Sequence, residues 1–172
     1  MLLLLRYAYS VERYGMLVDR DALNEMEQQL NEYVNAKYRE LIRLVPAAVR
    51  RRHLQKGLSL GRDAFKRDIL FSKDGFNLKP RLFTKGTKDL DKHEQVPQVG
   101  KDHLTYFVND PRPNVARFCS ELIAFGAAEK MLSTYVGNEE EGSGFHKYIA
   151  SDGNIYPSYM LHRTATGRTA SA

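Results

Sequence analysis

Two apolar stripes at helical spacing constrain this chain more than any other feature. Leu23, Met26, Leu30, Tyr33, Val34, Leu41, Leu44 and Val45 recur mostly three and four residues apart. Val115, Phe118, Cys119, Leu122 and Phe125 or Gly126 repeat the pattern later. That period places each set on one face of a helix, predicting helices over about 21–45 and 114–135. Both stripes are too apolar to leave in water, so each is the other's natural partner, packed antiparallel. Asp19 and Asp21 sit where acidic groups favour a helix N-terminus, and Pro46 ends or kinks the first helix because it removes a donor and clashes with the preceding turn.

The rest of the chain is read around that pair. Residues 1–14 form a lead-in helix closed by Gly15, which supplies a left-handed cap. The Met1–Leu5 run is too short to span a bilayer and has no basic flank before it, so it reads as the buried start of this helix. Past Pro46, Ala47 to Gln55 forms a short basic helix stopped at Gly57. Ser59 caps another helix running through Phe65, Ile69, Leu70 and Phe71. From 73 to 108, Gly75, Pro80, Gly86, Pro97 and Gly100 interrupt every period, which predicts loops with short helices. Glu139, Glu140 and Glu141 lie in a solvated loop. Phe145 to Ile149 and Ile155 to Leu161 favour strands around a turn at 151–154, and Thr164 to Ala172 supplies a returning strand. A terminal hairpin of this kind leaves an edge open to more sheet.

The net charge is +5, but its placement matters more. Between Pro46 and Lys92 there are 13 Lys and Arg against 5 Asp and Glu, a local excess of +8. All the basic excess therefore sits in one middle segment, as expected of a surface that meets polyphosphate or, alternatively, of a solvated helical face. A single cysteine excludes an internal disulfide framework and fits a reducing, cytoplasmic setting. Cys119 itself lies on an apolar stripe and reads as a small buried hydrophobe. The five histidines (53, 93, 103, 146 and 162) are too scattered for a metal site or a nucleophile's base. No phosphate-cradling glycine loop opens a helix.

Two C-terminal segments carry more chemistry: Lys130-Met131-Leu132-Ser133-Thr134-Tyr135-Val136, and Thr164-Ala165-Thr166-Gly167-Arg168 with Ser171 close behind. The second puts two hydroxyls, one flexible backbone point and one guanidinium within five residues, a grouping suited to phosphate or base edges. In order and separation the pair resembles the family A DNA polymerases, the bacterial polymerase I and bacteriophage group. There a K-x-x-S-T-Y segment ends the long thumb helix, a G-x-[LIV]-[HY] strand follows, and T-x-T-G-R-x-S-S opens the palm. This chain offers Gly153-Asn154-Ile155-Tyr156 in the middle position. Glu12 to Asp19 resembles the family's E-x-x-G-[IM]-x-V-D, which precedes the thumb, and Phe76 to Thr84 is closer to phage-type members. Thr169, Ala170 and Ala172 depart from the usual aliphatic and serine residues, which bears on fine minor-groove contacts.

The resemblance implies a lead-in helix and turn over 1–20, a thumb-like helical domain over 21–136 with a basic tip near 46–92, and an incomplete start of the palm over 137–172. It implies a fragment or subunit that grips primer–template duplex in DNA replication. Arg50, Arg51 and Arg52 would meet phosphates, Lys130, Ser133 and Thr134, with Tyr135 beside them, would hold the backbone near the primer end, and Arg168 would reach the minor groove, flanked by Thr164, Thr166, Gly167 and Ser171. The family's metal-binding carboxylates and nucleotide-binding helix have no match here, so the chain alone is expected not to polymerise. Mg²⁺ belongs to the complete enzyme and the rest of the palm and fingers is the expected polypeptide partner; no membrane is implied, and a phage origin would mean the host cytoplasm. The alternatives are a free-standing basic helical module that binds nucleic acid, and a helical interaction protein with a solvated basic face.

Overall fold

The first helix, α1 (Leu2–Tyr14), stops where Gly15 adopts φ +73°. A Cβ there would lie 2.9 Å from both Asn154 Cβ and Tyr156 Cε1, so glycine satisfies the backbone angle and the close approach together. β1 (Met16–Leu17) then pairs antiparallel with β2 (Asn154–Ile155), Met16 opposite Ile155 and Leu17 opposite Asn154. The computed structural model describes residues 2–87, 90–91, 94–160 and 170–171, with side chains from residue 6 to residue 159. The expected burial of Met1–Leu5 lies outside the described side chains.

α2 (Arg20–Leu44) starts as the sequence predicts, its Ala22 N–H donating to Asp19 Oδ1 at 3.0 Å. Pro46 ends it, and α3 (Ala47–His53) follows, tightening into a 3₁₀ turn (Leu54–Lys56) that stops at Gly57. Ser59 does not cap the next helix. Its carbonyl instead closes a turn with the Arg62 N–H at 3.1 Å, and α4 (Asp63–Phe71) begins only after that turn. α5 (Lys101–Thr105) is the short helix within the glycine- and proline-rich stretch, where Phe83 also bridges Pro97.

α6 (Pro113–Lys130) carries the second stripe. Its last turn is not α-helical: Met131–Val136 forms a π turn, closed by the Gly137 N–H on Leu132 O at 2.6 Å. Phe145 to Tyr148 is also not a strand, and of the expected segment only Ile149 pairs, bridging Ile155 antiparallel across the turn. Gly144–Tyr148 is a 3₁₀ turn, because Gly137 and Gly144 meet backbone to backbone and a Cβ on Gly137 would fall 2.1 Å from Ser143 O. That contact, with φ +77° at Gly137, fixes a tight loop where residue type alone favours an extended segment. β3 (Tyr159–Met160) pairs antiparallel with β4 (Ala170–Ser171), the expected return. The sequence reading missed the partner of β2, which is β1 from the other end of the chain.

The described residues fall into two compact units, one within 1–31 and 129–172, the other within 32–128. The fold is mainly helical with small antiparallel sheets. In the second unit, Glu32–Leu44 of α2 runs antiparallel to α6: Lys37 Nζ meets Glu121 Oε2 at 2.5 Å and Arg117 pairs with Glu40. Between them the two stripes supply Leu41, Val45, Val115, Phe118, Cys119, Leu122 and Phe125 to one core, completed by α3, α4 and α5. Burial pushes the Cys119 thiol up to about 12, the mark of an inert apolar filler. His103, buried here, accepts the Arg81 and Leu82 N–H groups on Nε2 at 2.9 and 3.3 Å and donates Nδ1–H to Gln98 O at 2.7 Å. Two N–H groups aimed at one nitrogen fix the tautomer and make it a satisfied core residue. Among the described residues no helix is long and apolar enough to cross a membrane.

Candidate nucleic-acid interface

In the second unit, α3 presents its arginines in two different ways. Arg51 is exposed and Arg50 half-buried, and neither makes a side-chain hydrogen bond among the described residues. Arg52 donates Nη1 to both Asp68 oxygens at 2.7 and 2.9 Å, and Nη2 to Asp74. His53 Nε2 sits 2.8 Å from the same Asp68. Arg52 and His53 therefore staple α3 to α4, while Arg50 and Arg51 keep guanidinium donors for an external anion. The reason is local: Val49, fully buried, points α3's apolar side inward and sends its arginines outward.

Cations downstream widen the same basic stretch. Lys56, Lys73, Lys79 and Lys85 are exposed, and Arg81 lies over the Tyr106 ring at 5.5 Å. Arg112 is held differently, donating Nε to Asp110 at 2.8 Å and Nη1 to Phe76 O at 2.8 Å, which draws the Asp110 carboxyl below its ordinary range. Arg39, Arg43 and Arg117 border a separate cavity of about 510 Å³ on the helix pair. Sequence reasoning did not single these three out; the four-residue spacing of Arg39 and Arg43 was the available signal.

In the first unit, the candidate residues of the K-x-x-S-T-Y segment fall on the end of α6 and its π turn. Lys130, Ser133, Thr134 and Tyr135 are all exposed, and the first three make no side-chain hydrogen bond among the described residues. Tyr135 packs its ring 6.2 Å from that of Phe145. The wider turn displaces side chains from α-helical register, and such turns often occur where a helix presents functional groups. Beneath it, Asn138 Nδ2 donates to Glu27 Oε1 at 2.7 Å, and the Asn138 N–H to Ser143 Oγ at 2.8 Å, which pins the loop that follows.

The Glu12–Asp19 and Gly153–Tyr156 segments meet in this unit. Glu12 Oε1 accepts the Tyr159 N–H at 2.6 Å, and the Val18 N–H donates to Gly153 O at 3.2 Å. Asp152 accepts from the Tyr156 hydroxyl, from Asn154 Nδ2 at 2.9 Å and from the Asn154 N–H at 3.0 Å. The Tyr156 bond, then those of Asn154, hold the Asp152 carboxyl down at about 2. These residues build the strand pair and its turn. Arg168, Thr164, Thr166 and Gly167 lie outside the described residues, as does the side chain of Ser171, whose backbone pairs with Tyr159.

No family model matches the chain, and no curated protein matches it. Among solved structures, its fold is similar to that of the POL domain of Pol1 from M. smegmatis, in complex with DNA primer-template and dNTP. The TM-score is 0.66 at 18% identity, over 97% of this chain and 24% of that one. The chain therefore spans about a quarter of the structure it matches, and shares the fold of that part.

Proposed function

We propose that this chain is the thumb-bearing part of a family A DNA polymerase, of bacteriophage type, that grips primer–template duplex during replication. The observation that carries the reading is the fold likeness across 97% of the chain to a polymerase domain bound to primer-template DNA. On this reading 21–136 is the thumb, with its tip near 46–92, and 137–172 is the start of the palm. Arg50 and Arg51 meet duplex phosphates without reading sequence, as exposed guanidinium groups do. Lys130, Ser133 and Thr134 add backbone contacts near the primer end. Arg168 reaches the minor groove at the terminus, where every base pair offers an acceptor at a similar place.

Phosphoryl transfer by two metal ions needs converging carboxylates. On this reading the metal-binding carboxylates, and Mg²⁺ with them, belong to the remaining palm and fingers polypeptide. An apolar cleft in the first unit supports such a partner. It is lined by Leu17, Phe145, Tyr148 and Tyr156 among others, with Leu17 81% exposed, and exposed apolar clusters of this kind mark interaction surfaces. The complete enzyme would work in the cytoplasm, that of the host if it is of phage origin.

Duplex binding measured by fluorescence anisotropy across a salt series tests the reading. Unrelated duplexes should bind about equally and lose affinity steeply with salt. Arg50→Gln with Arg51→Gln should weaken all of them and flatten the log–log slope by about 2, at roughly 0.9 per phosphate contact. In a completed polymerase, Arg168→Ala should lower incorporation far more than duplex binding. A polypeptide supplying the rest of the palm and fingers should restore primer extension. A chain that binds duplex but never supports extension with such a partner would instead be a free-standing nucleic-acid module.

A further inference from the structure

We infer that the groove between α2 and α6 is a second duplex-backbone site, in which Arg39 and Arg43 take phosphates and Arg117 forms the opposite wall. It rests on the reading of this chain as duplex-binding, but its residues lie outside the basic stretch at 46–92 and outside the π turn.

The groove is built from Ala36, Arg39, Glu40, Arg43 and Leu44 of α2 and Arg117 of α6. Its three guanidinium groups face one carboxylate, and that carboxylate is already engaged. Glu40 accepts from Arg117 Nη2 and lies 3.6 Å from Lys37 Nζ, and the Arg117 bond first of all holds it below the ordinary carboxylate range. Lys37 in turn has Glu121 at 2.5 Å. Every acidic group of the groove is thus matched, and Arg39 and Arg43 are left over. Both are exposed, and neither has a hydrogen-bond, ion-pair or aromatic partner among the described residues.

The spacing of the two suits a polyanion. Residues four apart stand one above the other on a helix, about 6 Å apart, and like charges so placed repel. Successive phosphates of a nucleic-acid strand relieve that repulsion and accept from both forks, whereas one small anion engages one fork well. Arg117 donates one N–H to Glu40 and has others remaining. The lining also selects between nucleic acids. No aromatic ring lies in it, so it lacks the stacking platform that holds single-stranded bases. What remains is a charged groove with small apolar walls from Ala36 and Leu44, suited to the sugar-phosphate ridge of a duplex.

The test uses the full chain with a fluorescein-labelled duplex, and the same strand unpaired, between 50 and 200 mM salt. Arg39→Gln with Arg43→Gln should lower duplex affinity and shrink the loss across that salt range by about tenfold, two contacts at roughly 0.9 each in the log–log slope. Arg39→Lys with Arg43→Lys should keep the slope, since the charge survives, and lose part of the affinity with the planar fork. Both changes lie on an exposed face, and an unchanged thermal melt confirms the fold. Duplex binding that falls on changing Arg50 and Arg51 but not Arg39 and Arg43 would overturn the groove and leave the thumb reading standing. Absence of duplex binding by the unaltered chain would overturn both. Equal loss for single strand and duplex would overturn the assignment to duplex.

Discussion

The two units are stabilised by different means. In residues 32–128, sixteen buried apolar residues form one continuous core, with Leu41, Val49, Phe65, Ile69, Leu70 and Phe118 fully excluded from water. In 1–31 with 129–172, the buried apolar side chains described are Ala8, Leu23 and Val136, while Tyr7, Tyr9, Tyr14, Tyr148 and Leu17 are each more than half exposed. That unit relies on backbone approach and polar contacts: Gly15 against Asn154, Gly137 against Ser143, Glu12 on the Tyr159 N–H. Packing in a core is proportional to area and tolerates some redistribution; a hydrogen bond or a backbone contact is specific to one position. The first kind of unit should be hurt most by lost volume, the second by altered geometry.

The largest effect should come from Phe118→Ala, which removes a ring packed edge-on at 5.2 Å from Phe76. Urea unfolding followed by circular dichroism should show a loss of about 3–5 kcal/mol. A loss below about 1 kcal/mol would mean that the core relaxes around the void and the contrast is wrong. Next is His103→Leu, which strands the Arg81 and Leu82 N–H groups and Gln98 O in the same unit. Unpaired buried groups cost about 1–3 kcal/mol each, partly recovered by water, so a loss of about 2 kcal/mol is expected in the same assay. Equality with Leu104→Ala in both size and solvent sensitivity would reduce His103 to a space-filler.

Gly15→Ala should act in the other unit and act locally. Left-handed backbone costs a residue with a side chain about 1–2 kcal/mol, and the added methyl meets Asn154 and Tyr156. Hydrogen exchange should rise at Met16, Leu17 and Ile155 and leave α4 unchanged. Spread of the effect into α4 would dissolve the distinction between the units.

The smallest effect concerns Asp152, whose carboxyl drops from 3.8 to about 2 through the Tyr156 hydroxyl and then Asn154. A lowered folded value means that its contribution is present above 3.8 and lost as the pH falls towards about 2. Carboxyl ¹³C titration should place the midpoint near the lower figure, and Tyr156→Phe should move it up. An ordinary midpoint in the unaltered chain would remove the hydroxyl bond from the turn's account.

The candidate interface was legible in the sequence only in part, for the same physical reason. Arg50, Arg51 and Arg52 stand together as a charge run, yet Arg52 is committed to Asp68 and Asp74, an engagement that no local pattern signals. The Lys130–Tyr135 segment was visible as a motif, but its π turn was not, because the apolar period runs on through Leu132 and Val136 without marking the change of winding. Arg39 and Arg43 carry a helical spacing that many solvated faces share; only Arg117, arriving on the other helix, makes a groove of them.

What the amino-acid sequence determined by itself were the features set by one residue's backbone or by a short period. Gly15, Pro46 and Gly57 end their helices because φ and a missing N–H act where they stand. The stripes of α2 and α6 follow from helical geometry, and the basic excess of 46–92 from composition. Tertiary structure decided the pairing of β1 with β2, the 3₁₀ turn at Gly144–Tyr148, and which arginines are free. A two-residue strand is too short to carry a period, a β-prone residue becomes a strand only beside another, and a guanidinium is spent or available according to the carboxylates that a distant part of the chain brings to it.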